Sequence, residues 1–257
     1  MNKIKMSAPD WCFLGKSGLE PEKYYCELRK MGFTAVEMTE KKNRTLACNA
    51  GLEILNMAGP GMTKGLNRIE NHKEILPQIR SAIQEAKADK IPAVIIFSGN
   101  REGQADVDGL KNCRTGIEQV IGDAEKAGVI LLFEMLNSFE HADYQADSSK
   151  YGFELVKTIK SKNFKLLYDI YHMERMGEDA AKDISANLDV IAHLHTAESP
   201  DRTIPLVAGK INYAEIVSKV RLAGYDGFWG MEFIPKGNVM EELKRTAKMF
   251  GDVISNQ

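Results

Sequence analysis

Eight short apolar runs recur along the chain, each separated from the next by a longer stretch, and this alternation limits the possible folds more than any other feature. The runs lie at 4–8, 35–38, 53–57, 93–97, 130–135, 165–170, 191–196 and 228–233. Several are almost continuously apolar, as expected of strands covered on both faces in a parallel sheet. Between them, residues 21–31, 72–88, 107–127, 149–161, 213–222 and 239–254 place apolar side chains at helical spacing. Pro21 stands at the start of the first of these and Gly32 just past its end, the asymmetry of a helix that begins on proline and stops on glycine. Lys-Ala-Gly at 126–128 and Leu-Ala-Gly at 222–224 each stop a helix with glycine just before a strand. Helices near Lys41 and Ala181 are only weakly marked by the pattern.

Strands alternating with helices make a parallel sheet joined by right-handed crossovers. Eight such units in 257 residues match a (β/α)8 barrel, which typically takes about 250 residues. The expectation is therefore an α/β chain forming one (β/α)8 TIM barrel, a single domain over residues 1–257. A doubly wound open sheet is the alternative, but no G-x-G-x-x-G or G-x-x-x-x-G-K-[ST] motif follows a candidate strand.

Composition narrows the partners. The formal net charge is −2 with both signs well mixed, which argues against a nucleic-acid partner. The four cysteines, Cys12, Cys26, Cys48 and Cys113, show neither C-x-x-C nor zinc-finger spacing. Scattered thiols of this kind read as small buried hydrophobes in a reducing compartment. The N-terminal residues carry no apolar signal-peptide core, and no apolar run approaches the roughly 20 residues of a membrane span. These features point to a cytoplasmic protein without membrane partners. The number of subunits stays open, a homo-oligomer included.

Chemistry concentrates where the last four candidate strands end. The fifth ends in Leu-Leu-Phe-Glu134, the sixth in Leu-Leu-Tyr-Asp169, the seventh in His193-Leu-His195-Thr and the eighth in Gly-Met-Glu232. One acidic residue at a strand end is usually a loop charge or a helix cap. Four ionisable residues at matching ends of consecutive strands are harder to obtain by chance, and the C-terminal ends of barrel strands carry the active site. Three carboxylates gathered in an apolar surround would repel one another and be costly to bury. One divalent cation held by Glu134, Asp169, His195 and Glu232 removes that cost. Three oxygens and one imidazole suit Mn²⁺ or Mg²⁺, and admit Co²⁺. His193, two residues before His195, faces the same way but deeper and reads as packing rather than as a partner of the site. Trp11 and Phe13 could form an aromatic wall beside it, or simply pack.

Five stretches carry a family resemblance: Phe-Glu-Met-Leu-Asn-Ser (133–138), Lys-Leu-Leu-Tyr-Asp-Ile-Tyr-His-Met (165–173), His-Leu-His-Thr-Ala (193–197), Ile-Asn-Tyr (211–213) and Gly-Tyr-Asp-Gly-Phe-Trp-Gly-Met-Glu-Phe-Ile-Pro (224–235). With them the chain resembles the xylose-isomerase-like isomerase and epimerase barrels, and among these the hydroxypyruvate isomerase family. The resemblance implies the same four metal ligands, with Glu134 and Glu232 also serving as the acid and base. It further implies that His172, Arg202 and Glu140 touch a small-molecule substrate. His195 stands where many hydroxypyruvate isomerases carry glutamine and the ketose 3-epimerases carry histidine.

The implied reaction is proton transfer beside a carbonyl through a cis-enediolate. Hydroxypyruvate to tartronate semialdehyde is the named isomerisation, and ketose 3-epimerisation is the alternative. Arg202 suits a substrate carboxylate. Two other classes compete with these. A class II abasic-site endonuclease would need further histidines at the third and fourth strand ends, which read Asn-Met-Ala and Phe-Ser-Gly. A non-catalytic sugar-binding barrel would be favoured by loss of the last glutamate, and Glu232 is present.

Overall fold

The computed structural model describes residues 3–206 and 209–255, with side chains described up to 251. Nine strands form one sheet: β1 (Lys5–Pro9), β2 (Ala35–Glu37), β3 (Glu53–Ile54), β4 (Asn56–Ala58), β5 (Ala93–Ile96), β6 (Ile130–Glu134), β7 (Phe164–Asp169), β8 (Ile191–Thr196) and β9 (Phe228–Met231). Their order is β3-β2-β1-β9-β8-β7-β6-β5-β4. β3 and β4 are two pieces of one expected strand, separated by Leu55 alone. β3 pairs with β2 and β4 with β5, both parallel. Apart from β3 and β4, which stand at the two ends of this order, every strand neighbours the next in sequence, the succession of a (β/α)8 barrel whose third strand is split. Leu55 still donates its N–H to Val36 O at 3.0 Å, so the split leaves that backbone group satisfied.

Two compact units can be described. One is built on residues up to Leu55, on Asp179–Leu188 and on the chain from His193 onward. In it β1 is central. Ser7 aligns with Ala35 of β2 and with Gly230 of β9, and Gly230 aligns with His195 of β8. Met6, Ala8, Val36, Leu194 and Trp229 are buried along these strands. Aromatic rings seal the layer between strands and helices, with Trp229 and Phe250 centroids 5.9 Å apart and Phe13 and Phe233 4.8 Å apart.

The other unit spans Asn56–Glu178 and Asp189–Ala192. β6 lies between β5 and β7, with Phe133 aligned to Ile96 and Glu134 to Leu167. Helices Ile69–Ala88, Asp106–Glu118, Ile121–Ala127 and Ser149–Thr158 belong to this unit. The loops that cap it meet backbone to backbone at Gly65 and Gly99. A Cβ on Gly65 would fall 2.4 Å from the Ser98 carbonyl group, so only glycine fits.

Several expected elements change. The single helix over 107–127 is two helices broken at Gln119–Val120. Gly116 and Gly122 flank the break, and glycine is the weakest helix former after proline. The segment near Lys41 forms a 3₁₀ turn, Lys41–Asn43, followed by the helix Arg44–Asn49, and Ala180–Ala186 is also helical. Two short helices were not anticipated, Asp10–Phe13 after β1 and Ile170–Arg175 after β7. Cys12 and Cys113 are buried, but Cys26 and Cys48 are exposed, so only half of the thiols behave as core residues.

Candidate active site

Glu134 is the last residue of β6 and Asp169 the last of β7, as the apolar runs imply. Both are buried, at 6% and 1% exposure. Asp169 is also the N-cap of Ile170–Arg175, its Oδ1 accepting from His172 N at 3.3 Å. A capping carboxylate at a helix start is stabilised by the free N–H groups and the dipole there. The same turn brings His172 back over Asp169, with Nε2 3.5 Å from Oδ2.

His172 is fully buried. Its Nδ1 accepts the backbone N–H of Asn137 at 3.1 Å and lies 2.6 Å from Asn137 Nδ2. A backbone N–H can only donate, so Nδ1 is an acceptor and the neutral ring carries its proton on Nε2. Nε2 is therefore the atom with which His172 can reach a ligand. Glu140 is held at the surface of this unit by Tyr171, whose hydroxyl donates to Oε1 at 2.7 Å. Asn137, wholly buried between His172 and Glu140, lies inside the 133–138 stretch but carried no assigned role.

In the other unit His195 and Glu232 come together. Register places His195 beside Gly230 across β8 and β9, and Glu232 follows β9 immediately. His195 Nδ1 lies 2.9 Å from Glu232 Oε2. Arg202 pairs with that same oxygen through Nη2, and its Nε donates to the Glu232 backbone carbonyl at 3.1 Å. Its backbone is fixed as well: φ is +52°, and Ile234 N donates to Arg202 O at 2.6 Å. Left-handed φ in a non-glycine residue costs on the order of 1–2 kcal/mol, which the surrounding contacts must offset. Arg202 is thus a clamped residue rather than a solvated loop charge.

Trp11 completes the clamp. Its Nε1 donates to Glu232 Oε1 at 3.0 Å, while its ring lies under the Arg202 guanidinium, 5.6 Å away. Phe13, by contrast, is core. The two aromatics considered together in the sequence therefore separate: one reaches the site and the other packs. Burial alone would raise the Glu232 pKa, but His195 and Arg202 outweigh it and hold the carboxyl at about 2. Glu232 is ionised at neutral pH.

His193 corrects the reading as mere packing. His193 Nε2 and His195 Nε2 each lie 2.9 Å from the same oxygen, Glu37 Oε2, and Ser7 Oγ donates to Glu37 Oε1 at 2.6 Å. Glu37 is wholly buried at the end of β2. Burial by itself would raise its pKa, but the two histidines bring it well below the ordinary carboxylate range. It ends a short apolar run, Ala-Val-Glu, the same signal that marked the later strand ends, yet sequence reasoning missed it.

Among the described residues, two groups that each lie within one unit have ligand atoms within 4.8 Å of one another: Glu37, His193 and His195, and Glu140, His141 and His172. Glu134 and Asp169 in one unit and His195 and Glu232 in the other are all buried, and three carboxylates with one imidazole are the donor types of a divalent ion bound by oxygen and nitrogen. A local observation tests the fit. If the Nε2 proton of His195 goes to Glu37, Nδ1 is an acceptor, and it faces a carboxylate oxygen at 2.9 Å. Without metal a proton joins these two atoms, which makes His195 the cation that lowers the Glu232 pKa, and a divalent ion can take that proton's place. The residues therefore fit a metal.

A family model described as xylose isomerase-like TIM barrel matches residues 27–250. The hydroxypyruvate isomerase of Escherichia coli (strain K12) is 31% identical over 111 residues, covering 43% of each chain. The 2-oxo-tetronate isomerase of Cupriavidus necator is 29% identical over 142 residues, covering 54% of each. The matched stretch thus spans about half the length of either relative. Among solved structures, that of IOLI protein with a zinc atom bound superposes with a TM-score of 0.79 at 18% identity, over 98% of this chain and 99% of the other. At that identity the likeness is one of fold. No described helix is long and apolar enough to cross a membrane.

Proposed function

This chain belongs to the xylose isomerase-like TIM-barrel family, and from that premise we propose that it is a metal-dependent isomerase converting hydroxypyruvate to tartronate semialdehyde. The observation that carries this reading is the burial of Glu134, Asp169, His195 and Glu232 at or beside the ends of β6, β7, β8 and β9, three carboxylates and one imidazole that would hold one divalent ion, Mn²⁺ or Mg²⁺ in preference. The E. coli and C. necator relatives, both named as isomerases, support it. When bound, the ion supplies Lewis-acid polarisation of a carbonyl and its neighbouring hydroxyl.

The chain's own residues move the proton. One of Glu134 and Glu232 takes it from the hydroxyl-bearing carbon beside the carbonyl, leaving a cis-enediolate. The other returns a proton to the former carbonyl carbon, and the hydroxyl proton passes between the two oxygens, so the atoms balance. Burial of both carboxylates keeps water from competing for that proton. A base held at about 2 is a weak one, and Arg202 is part of the reason. A substrate carboxylate competes for the same guanidinium, and drawing it off Glu232 makes Glu232 a stronger proton acceptor. This favours an acid such as hydroxypyruvate over an uncharged ketose. His172 Nε2 and Glu140 are the further groups assigned to substrate hydroxyls.

Proton exchange tests this directly. Metal-loaded protein in deuterated water should place deuterium on carbon as hydroxypyruvate turns over, and chelation should stop it. Exchange at C3 of a ketose without hydroxypyruvate turnover would instead assign epimerisation, which uses the same two carboxylates. Metal analysis after a Mn²⁺ or Mg²⁺ soak that finds no bound ion would remove the metal from the reading.

A further inference from the structure

Glu37 gathers three buried donors and has no role assigned to it in the proposed reaction. Oε1 takes the Ser7 hydroxyl, and Oε2 faces both His193 Nε2 and His195 Nε2 at 2.9 Å. The two imidazoles stand nearly perpendicular, at 85° with centroids 5.0 Å apart, so both ring edges converge on one oxygen. Room for this exists because position 230 is glycine. A Cβ there would lie 2.5 Å from Glu37 Oε1, 2.7 Å from His195 Cδ2 and 3.1 Å from His193 Nε2. The sheet register explains the meeting: Ser7 and His195 both align with Gly230, while Glu37 aligns with Pro9, two residues along β1 from Ser7.

An ionised carboxylate only accepts hydrogen bonds. Two ring nitrogens on one such oxygen must both carry hydrogen. We infer that Glu37 is a positioning residue: it fixes the proton of His195 on Nε2 and turns Nδ1 toward Glu232, an inference that rests on reading His195 as a metal ligand. Histidine ligands are commonly oriented by a carboxylate on the other ring nitrogen, and removing that partner costs about 10–100-fold in metal affinity or activity. Here one carboxylate serves two histidines. His193 fills the second acceptor direction of Oε2 and keeps Glu37 from rotating away.

The test uses the whole chain, uniformly labelled at its five histidines with ¹⁵N, and zinc as the probe ion. In metal-free wild type, the His195 Nε2 resonance should show a directly bonded proton. Glu37→Gln can keep an oxygen toward the two rings and its amide toward Ser7. It should retain that proton and lose little zinc affinity by calorimetry. Glu37→Leu removes the acceptor, so His195 should show a mixture of tautomers and zinc affinity should fall about 10–100-fold. If the leucine protein does not fold, the wild-type spectrum and the glutamine variant decide. An unprotonated Nε2 in wild type would overturn the inference, as would glutamine and leucine variants that bind zinc as tightly as wild type. A second zinc equivalent lost with Glu37 would also overturn it, making Glu37 a ligand. Wild type that binds no zinc at all would instead reject the metal site itself, so the two failures are distinct.

Discussion

Replacing Glu232 by glutamine separates charge from shape at the most heavily contacted position of the site. The amide keeps an oxygen for Trp11 Nε1 or for an ion, but it removes the charge that faces His195 and Arg202. A carboxyl whose pKa falls from 4.5 to about 2 is favoured in its charged form by about 3 kcal/mol in the fold. The group is buried, so solvent does not screen that figure away. The depressed value sets the sign: the stabilisation is complete above about pH 4.5 and is lost as pH falls through about 2. Metal-free Glu232→Gln should therefore melt below wild type at pH 7 by an amount on the order of 3 kcal/mol, and the gap should close at strongly acid pH. With metal bound, turnover of hydroxypyruvate should fall about 10²–10⁴-fold, chiefly in kcat, because one of the two carboxylates proposed to move the proton is gone. Thermal melts of stripped protein and steady-state kinetics of loaded protein check the two parts separately. Wild-type kcat in the variant, with metal content unchanged, would refute the assignment of Glu232 to proton transfer.

Arg202→Ala should raise KM for hydroxypyruvate about tenfold or more while lowering kcat less, since a charge-assisted contact to the substrate carboxylate is lost; an unchanged KM would show that Arg202 serves only Glu232. Asp10, buried with Tyr25 donating to Oδ2 at 2.6 Å, has its pKa raised to about 6, burial outweighing that hydrogen bond. A raised carboxyl weakens the fold as pH climbs from 3.8 through 6, so Asp10→Asn should raise Tm at pH 8, by up to about 3 kcal/mol in stability, with the gain vanishing toward pH 4. Gly230→Ala should lower stability by about 1–3 kcal/mol through overpacking against Glu37 and His195, read as a fall in Tm.

The barrel and most residues of the candidate site were legible because each signal was local. Burial on both faces forces a run of apolar residues, and a charged residue ending such a run announces a strand end: Glu134, Asp169 and Glu232 all follow that rule. Asp169 also caps a helix, and Asp followed by Ile-Tyr-His could have been read as a helix start. Glu37 obeys the same strand-end rule, but its strand is three residues long and its histidine partners lie 156 and 158 residues away. Spacing in sequence says nothing about partners so distant. The same holds for Trp11, whose indole reaches Glu232 across 221 residues while Phe13, two positions on, turns into the core.

Periodicity and burial act between near neighbours, so residue order is enough to set the alternation of strands and helices, the strand ends where ionisable residues collect and the kinds of donor found there. Which donors face each other is set only when distant segments pack. Whether Arg202 meets solvent or Glu232, and whether His193 packs or shares a carboxylate with His195, depends on strand register and on the absence of a side chain at Gly230. Those are properties of segments brought together only when the sheet forms, and no local pattern encodes them.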